Sequence, residues 1–473
     1  MKITFVASEA HPYIKTGGLG DVVGSLPKYL KKENIGTSLI IPFYKKIKER
    51  SLNLEYITEI EININDKIFN FKILKDKENN EIETFLIEND FLFFRDGIYN
   101  ENNIDYPDNH LRFGLFSLAS LKFIKDFLKS DIIHIHDWQT SFLSIYNKIL
   151  SGYNLKTILT IHNLAYQGLF EKSALIDLSL PNYLYSIEYL EFYGKVNFLK
   201  GGIIFSDFVS TVSPNYAKEI QKNEFGFGLD GVLKSNSNKV FGILNGIDYE
   251  YWNPEEDKFI YKNYNYSTIF NKKLNKEFLY KELNLNFIND YPLYSMITRV
   301  TDQKGIDLII NIYDRLMKED LYLIILGTGD KNYENSLKEL SEKYKSKSIF
   351  INRFDEVLSH KIYASSDFFL MPSKFEPCGL SQMISLRYGT IPIVRSTGGL
   401  RDSVIEFNER IGCGDGFVFY DYDEDELFDA IKRSLKIFND KEKMNKIIKI
   451  GMNSDFSWER SIKEYIEIYK KLL

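Results

Sequence analysis

Cysteine is almost missing from this chain: among 473 residues only Cys378 and Cys413 carry thiols, too few for a disulfide framework or a cysteine-ligated metal site. Surplus positive charge is missing too. The formal net charge is −6, whereas a nucleic-acid footprint needs clustered basic residues, so no nucleic-acid partner is expected. No run of about 18 apolar residues occurs, so no membrane partner is expected either. The apolar part of "MKITFVASEA" is too short for a secretion signal, and a cytoplasmic location is the expectation. The P-loop pattern G-x-x-x-x-G-K-[ST] is not found. What remains is ordinary globular composition, 44% hydrophobic and 27% charged, enough for a sizeable core. At about 150 residues per domain, two or three domains are expected.

Strand-like runs alternate with helix-like segments along almost the whole chain. The clearest strands are "KITFVA", "TSLIIPF", "DIIHIH", "TILTIH", "DFVSTVS", "LYSMITRV", "LYLIILG", "SIFINRF", "DFFLMPS" and "TIPIVRS". Continuous β-branched and apolar runs suit strands buried on both faces of a parallel sheet. Their alternation with helices predicts βαβ units in doubly wound sheets. "EIEININDKIFNFKILK" instead alternates around Asn65-Asp66 and predicts a hairpin. The rhythm pauses in "GILNGIDYEYWNPEEDKF", where Gly, Asn, Asp and Pro cluster. That pause sets the expected boundaries: residues 1–244, 245–455, and a closing segment 456–473. In the last, Trp458, Ile462, Tyr465, Tyr469 and Leu472 recur at helical spacing, an apolar stripe that must dock somewhere.

Ligands of open α/β sheets bind beyond the carboxyl ends of the strands, so the polar residues at those ends are the candidates. Lys15, Gly17, Gly18 and Gly20 follow the first strand; Asp137 follows "DIIHIH", and His162 and Asn163 follow "TILTIH". In the second half Arg299 and Lys304 follow "LYSMIT", and Lys374, Glu376 and Gly379 follow "DFFLMPS". Glycines let amides approach a ligand, a helix N-terminus favours an anion, and Lys15 adds a full charge. Phosphate is the natural ligand. A dinucleotide fold is suggested by Gly18-Leu19-Gly20 with Gly24, but the acid that should end the second strand is replaced by Pro42-Phe43-Tyr44. A nucleotide-sugar diphosphate needs the cations without that acid, and it gives Arg299 and Lys304 a purpose.

Three other features carry weaker signals. Asp421-Tyr422-Asp423 forms a D-x-D, but it opens an acidic helix start and fits the helix dipole better than a metal. His134 and His136 share a strand face without an evident third ligand, so no metal is expected. "TGGLGD" at Thr16 to Asp21 is echoed by "TGGLRD" at Thr397 to Asp402; either two βα turns coincide by chance or each half offers a glycine-rich helix N-terminus.

At these residues the chain resembles the bacterial glycogen synthases, a family that includes plant starch synthases. The likeness rests on "KTGGLGDVVGSLPKYL", "HIHDWQTSF", "TIHNLAYQG", "LNGIDYEYWNP", "RVTDQKGIDLI", "PSKFEPCGLSQMISLRYGTIPIVRSTGGLRDSV" and "GDGFVF", which appear in the family's order and span nearly the whole length. It implies a GT-B architecture, two Rossmann-like domains facing across a cleft, with a C-terminal helix crossing back to the first. The implied activity is transfer of glucose from ADP-glucose to the 4-hydroxyl at the non-reducing end of an α-1,4-glucan, with retention at the anomeric carbon. The partners implied are the glucan acceptor and the nucleotide-sugar donor, with no metal or organic cofactor.

The resemblance also implies roles. Lys15, with the backbone at Gly17 and Gly18, would hold donor phosphate or sugar, and Arg299 and Lys304 would neutralise the departing diphosphate. Glu376 would contact the donor glucose and steady its developing positive charge. Gly379, Leu380 and Ser381 would offer amides to the phosphates, with Cys378 inside the same turn. His162 would line the glucose pocket; Asp21, Asp137 and Asn245 would orient donor or acceptor; Phe354 would stack on the nucleobase. The chain departs from the pattern at Ile384, where related retaining enzymes carry the second acid of E-x₇-E. It departs again at Arg401 in the echo, and in "FFRDGIY", a looser match. The rival readings are another two-domain glycosyltransferase (sucrose-forming or lipid-glycosylating), a catalytically silent glucan-binding protein, and a nicotinamide-dependent enzyme.

Overall fold

The computed structural model describes residues 1–101, 104–286 and 291–473. It divides into two compact units: residues 1–243 with 458–473, and residues 244–457. The strands of the first main sheet are β1 (Lys2–Val6), β2 (Gly36–Pro42), β3 (Leu54–Ile64), β4 (Lys67–Asp76), β5 (Glu83–Glu88), β6 (Ile132–His136), β7 (Lys156–Ile161), β8 (Phe208–Thr211) and β9 (Val240–Gly242). They line up as β9-β8-β7-β6-β1-β2-β5-β4-β3. All pairs from β9 through β5 are parallel. β6 is buried along its whole length and β1 at all but its first residue, which is why their sequences run apolar without alternation.

The expected hairpin is β3–β4, antiparallel throughout. Asn65 (φ 51°) and Asp66 (φ 60°) make its two-residue turn, the mirror-image turn whose twist matches that of the strands. It widens the sheet at one edge rather than forming a body of its own, because β4 pairs with β5.

In the second unit β10 (Leu293–Ile297), β11 (Tyr322–Leu326), β12 (Ser348–Ile351), β13 (Phe368–Met371), β14 (Ile391–Arg395) and β15 (Phe417–Phe419) order as β12-β11-β10-β13-β14-β15, every pair parallel. Numbered within the unit, that is 3-2-1-4-5-6, the doubly wound order. The parallel strands of the first unit follow the same rule. The order reverses between β1 and β6 in one sheet and between β10 and β13 in the other. At such a switch point neighbouring loops diverge to opposite faces and leave a crevice.

Six helices matter below: α1 (Gly18–Lys32), α2 (Asp137–Ile149), α3 (Ile306–Leu316), α4 (Ser381–Arg387), α5 (Gly398–Ser403) and α6 (Trp458–Leu472). In α3, Ile306, Ile309, Ile312, Tyr313 and Leu316 are buried at helical spacing against the second sheet. The stripe on α6 is also buried, from Trp458 through Ile462, Tyr465 and Tyr469 to Leu472. It packs beside α1 within the first unit, and the Tyr469 hydroxyl lies 2.7 Å from Nδ1 of His134 on β6. No helix among the described residues is long and apolar enough to cross a membrane.

Candidate active site

In the first unit the segment after β1 turns into α1 with Gly17 as its N-cap. A Cβ on Gly17 would meet nothing within 4 Å, so this backbone is open to a ligand. Gly20 has a different reason. A Cβ there would stand 2.6 Å from the Cβ of Lys15, so the glycine lets Lys15 lie against the first turn of α1. Lys15 Nζ is 3.1 Å from Oδ1 of Asp21, with both side chains part exposed. Asp21 thus holds the lysine in place, and the ion pair accounts for its position without a ligand.

Two residues missed by the sequence reading build this loop. Glu9, buried, accepts hydrogen bonds from the Thr16 amide, from the Thr16 hydroxyl at 3.0 Å and from the Tyr99 hydroxyl at 3.0 Å. Burial pushes its carboxyl pKa up, against the pull of those donors. Tyr99 belongs to the "FFRDGIY" segment, so that loosely matching stretch braces the glycine-rich loop. Glu9 sits just past the carboxyl end of β1 and was findable by the rule that picked out Lys15; its contacts were not.

At the ends of β6 and β7 the backbone amide of His162 donates to Oδ1 of Asp137 at 2.7 Å. Asp137 adopts φ 54°, and burial raises its pKa to about 7 despite hydrogen bonds from the His162 and Asn163 amides. Its carboxylate therefore shapes the turn that carries His162. Burial lowers the His162 pKa to about 3, so this imidazole is neutral and acts as a hydrogen-bonding group. Nε2 of His162 is 3.0 Å from Nδ1 of His136. His134 and His136 stack at 4.5 Å between ring centroids, and His134 spends both nitrogens on Tyr469 and Thr160. Among the described residues no cluster of three His, Cys, Asp or Glu side chains could hold a metal.

In the second unit the loops after β10 and β13 are tied together. The Lys374 amide donates to the Gln303 carbonyl at 2.9 Å, and Gln303 Nε2 donates to the Phe375 carbonyl at 3.2 Å. A Cβ on Gly305, at φ 70°, would stand 2.1 Å from the Pro372 carbonyl oxygen. This contact brings Lys304 to Glu376: Nζ to Oε2 is 2.6 Å, with side chains 16% and 7% exposed. Ser373 Oγ donates to the same oxygen at 3.0 Å, and Oε1 has no hydrogen bond among the described residues. Arg299 stands exposed nearby in sequence, its guanidinium making among the described residues only a long 3.5 Å bond to Gln303.

The turn after Glu376 places Gly379 at φ 70°, with Leu380 capping α4 and Ser381 opening it; the first amides of a helix have no intrahelical acceptor. Gln382 Nε2 holds the turn by donating to the carbonyls of Cys378 (3.1 Å) and Gly379 (2.8 Å). Cys378 is buried and its thiol pKa is raised to about 12 by burial, so it is no nucleophile at neutral pH. Asn245 lies within hydrogen-bonding reach of that thiol, and its buried Oδ1 has no partner among the described residues. Phe354 is 75% exposed, not a core residue at a strand end. The D-x-D is a helix cap: Asp423 accepts from the amides of Asp425 and Glu426.

The glycine echo has a steric purpose. Gly398 adopts φ 45°, and a Cβ there would lie 1.8 Å from the Glu376 carbonyl oxygen; one on Gly399 would lie 2.3 Å from that of Cys378. The Gly399 amide donates to the Glu376 carbonyl at 3.0 Å. The second "TGGL" supports the Glu376–Cys378 backbone from beneath, and its Gly399 amide is already spent there.

The chain matches known proteins over nearly its whole length. A model described as the starch synthase catalytic domain matches residues 2–235, and one described as glycosyl transferases group 1 matches residues 282–453. A glycogen synthase of Fervidobacterium nodosum is 46% identical, with 100% of this chain and 99% of that protein covered. The catalytic domain of starch synthase IV from Arabidopsis thaliana, solved bound to ADP and acarbose, matches with TM-score 0.92 at 35% identity over 99% of each chain. Sucrose-phosphate synthase from Thermosynechococcus elongatus, with TM-score 0.64 at 15% identity over 100% of this chain and 98% of that one, shares the fold alone. On the strength of full-length identity and the matched catalytic domain, this chain belongs to the glycogen synthase family of GT-B glucosyltransferases.

Proposed function

We propose that this chain elongates an α-1,4-glucan by moving glucose from ADP-glucose to the 4-hydroxyl at the non-reducing end, with retention at the anomeric carbon. The observation that carries the reading is the Lys304–Glu376 pair at 2.6 Å on the switch-point loops of the second unit. A retaining transfer breaks the bond from the anomeric carbon to the diphosphate, leaving negative charge on one side and oxocarbenium character on the other. Lys304 and Arg299 serve the first, since cations aimed at a leaving group are worth most where charge develops. Glu376 serves the second through Oε1, while Lys304 and Ser373 hold Oε2. The single acid fits the replacement of the second E-x₇-E position by Ile384.

In this reading the amides at Gly379, Leu380 and Ser381 take donor phosphate, and Phe354 offers its exposed ring to the base. Lys15, with the open backbone at Gly17 and the backbone at Gly18, holds donor phosphate or sugar, and Asp21 orients Lys15. His162 lines the glucose pocket as a neutral group, Asp137 fixes its backbone, and Asn245 with Cys378 braces the turn below the sugar. No step calls on a metal or an organic cofactor.

The test is incorporation of label from ADP-glucose and from UDP-glucose into polymer, each offered with glycogen and with small acceptors such as fructose 6-phosphate. Polymer labelling from ADP-glucose is the expected result. Transfer to the small acceptor alone would replace this reading with a sucrose-forming one.

A further inference from the structure

His136 plays no part in the reading above, yet its surroundings are unusually constrained. It ends β6 beside β7, paired with Thr160 in the parallel ladder, which sets its ring against that of His162 two residues on. The ring is fully buried, stacked on His134 at 4.5 Å and on Phe5 at 6.0 Å. Its Nδ1 faces Nε2 of His162 at 3.0 Å, and its own Nε2 is buried with no partner among the described residues.

From this geometry we infer that His136 is a positioning residue that keeps His162 in the Nδ1–H tautomer, so that His162 meets a substrate oxygen as a hydrogen-bond donor. The inference rests on the placement of His162 in the glucose pocket proposed above. Burial keeps both rings neutral, so each carries one proton and one of the facing nitrogens must donate to the other. If His162 donated from Nε2, the proton of His136 would sit on its own Nε2, a buried N–H with nothing to accept it. If His136 donates from Nδ1, only a lone pair is left unused. Orphaned buried N–H groups are rarer than under-used acceptors, and an unmade donor bond carries the full desolvation cost. The second arrangement is therefore the stable one. It leaves Nε2 of His162 as an acceptor and puts its proton on Nδ1. That nitrogen makes no hydrogen bond among the described residues and is not one of their buried unpartnered atoms, so it is available to a ligand. Asp137, accepting from the His162 amide at 2.7 Å, fixes the backbone that carries the ring, and the 3.0 Å contact with His136 holds Nε2 inward. The ligand is thus recognised through an oxygen lone pair, on a sugar hydroxyl or a phosphate.

The tautomer can be read directly. The chain has 6 histidines, so ¹⁵N-histidine labelling of the intact protein gives few ring systems, assigned with single variants. The expected spectrum shows His162 neutral with its proton on Nδ1, unchanged over about pH 5.5 to 8.5, the span in which an ordinary histidine titrates. His136→Phe keeps the ring volume and removes the donor. It removes what fixes the tautomer, so the His162 signals should shift to a mixture of the Nδ1–H and Nε2–H forms, and kcat should fall by up to about tenfold, the worth of one hydrogen bond, with KM for glycogen little changed. His136→Asn, whose amide N–H can stand where Nδ1–H stood, should restore both the tautomer and most of kcat. A proton on Nε2 of His162 in the unmodified chain overturns the inference, whether or not either variant folds. Near-normal turnover by His162→Ala overturns instead the placement of His162 in the pocket, and the two failures are read by different instruments.

Discussion

The carbonyl oxygen of Glu376 lies where the side chain of residue 398 would begin: a Cβ on Gly398 would stand only 1.8 Å from it. Glycine at 398, in the left-handed region at φ 45°, is thus a condition for the backbone that carries Glu376. Gly398→Ala is expected to displace that backbone, lowering kcat at least tenfold and stability by about 1–3 kcal/mol, the usual cost of such strain. Turnover at the parental rate, with urea unfolding unchanged, would show that the contact relaxes without consequence.

Arg299 and Lys304 should separate in stability while agreeing in activity. Each alanine variant should lose roughly 10²–10³ in turnover as transition-state stabilisation of the diphosphate is lost. Arg299 is exposed, so its variant should unfold within about 0.5 kcal/mol of the parent. Lys304→Ala leaves the buried Glu376 carboxylate with Ser373 alone and should be measurably less stable. Equal turnover in parent and variants removes both residues from the chemistry.

Asp137 gives a pH-dependent test. Its folded-state pKa of about 7 exceeds the roughly 3.9 of an unfolded aspartate. Between those values the folded chain holds the extra proton, so this group's contribution to stability falls as pH rises through that window. Asp137→Asn cannot ionise, can still accept from the His162 amide, and suits the φ of 54°. Its unfolding free energy relative to the parent should rise from about pH 4 and level off above about pH 7, gaining on the order of a few kcal/mol. The buried histidines have the opposite slope, but it is common to both proteins and cancels in the difference. A flat difference across that range would mean that the carboxylate is ionised and well solvated in the folded chain.

Phe354→Ala tests a ring with 75% exposure. Stability should not change, whereas KM for the nucleotide sugar should rise several-fold or more, because a base stacked on an aromatic ring is worth about 1–3 kcal/mol. An unchanged KM assigns base recognition to another residue.

The parallel strands of the two sheets were legible because buried parallel strands are apolar on both faces and therefore stand out as runs. The doubly wound pattern then pointed to Lys15, Asp137, His162, Arg299, Lys304 and Glu376 as polar residues at strand carboxyl ends. The D-x-D was read correctly as a helix start, for Asp423 caps its helix. The echo at Thr397 to Asp402 was not resolved from sequence. A glycine that admits a ligand and one that admits a neighbouring carbonyl look the same until the neighbour is in place; Gly17 is of the first kind and Gly398 of the second. Glu9 went unnoticed because a carboxylate after a strand does not announce that it will bind a loop amide.

Periodicity and composition alone determined the layered α/β architecture, the hairpin at Asn65-Asp66 and the apolar stripe of the closing helix, because each is a local consequence of which faces must leave water. Tertiary structure alone decided that Lys304 pairs with Glu376, that Gly398 supports Glu376 from below, and that His136 faces His162. Those pairings join residues brought together by strand order and register. A sheet's neighbours are chosen by the packing of the whole unit, and no short stretch of chain carries that information.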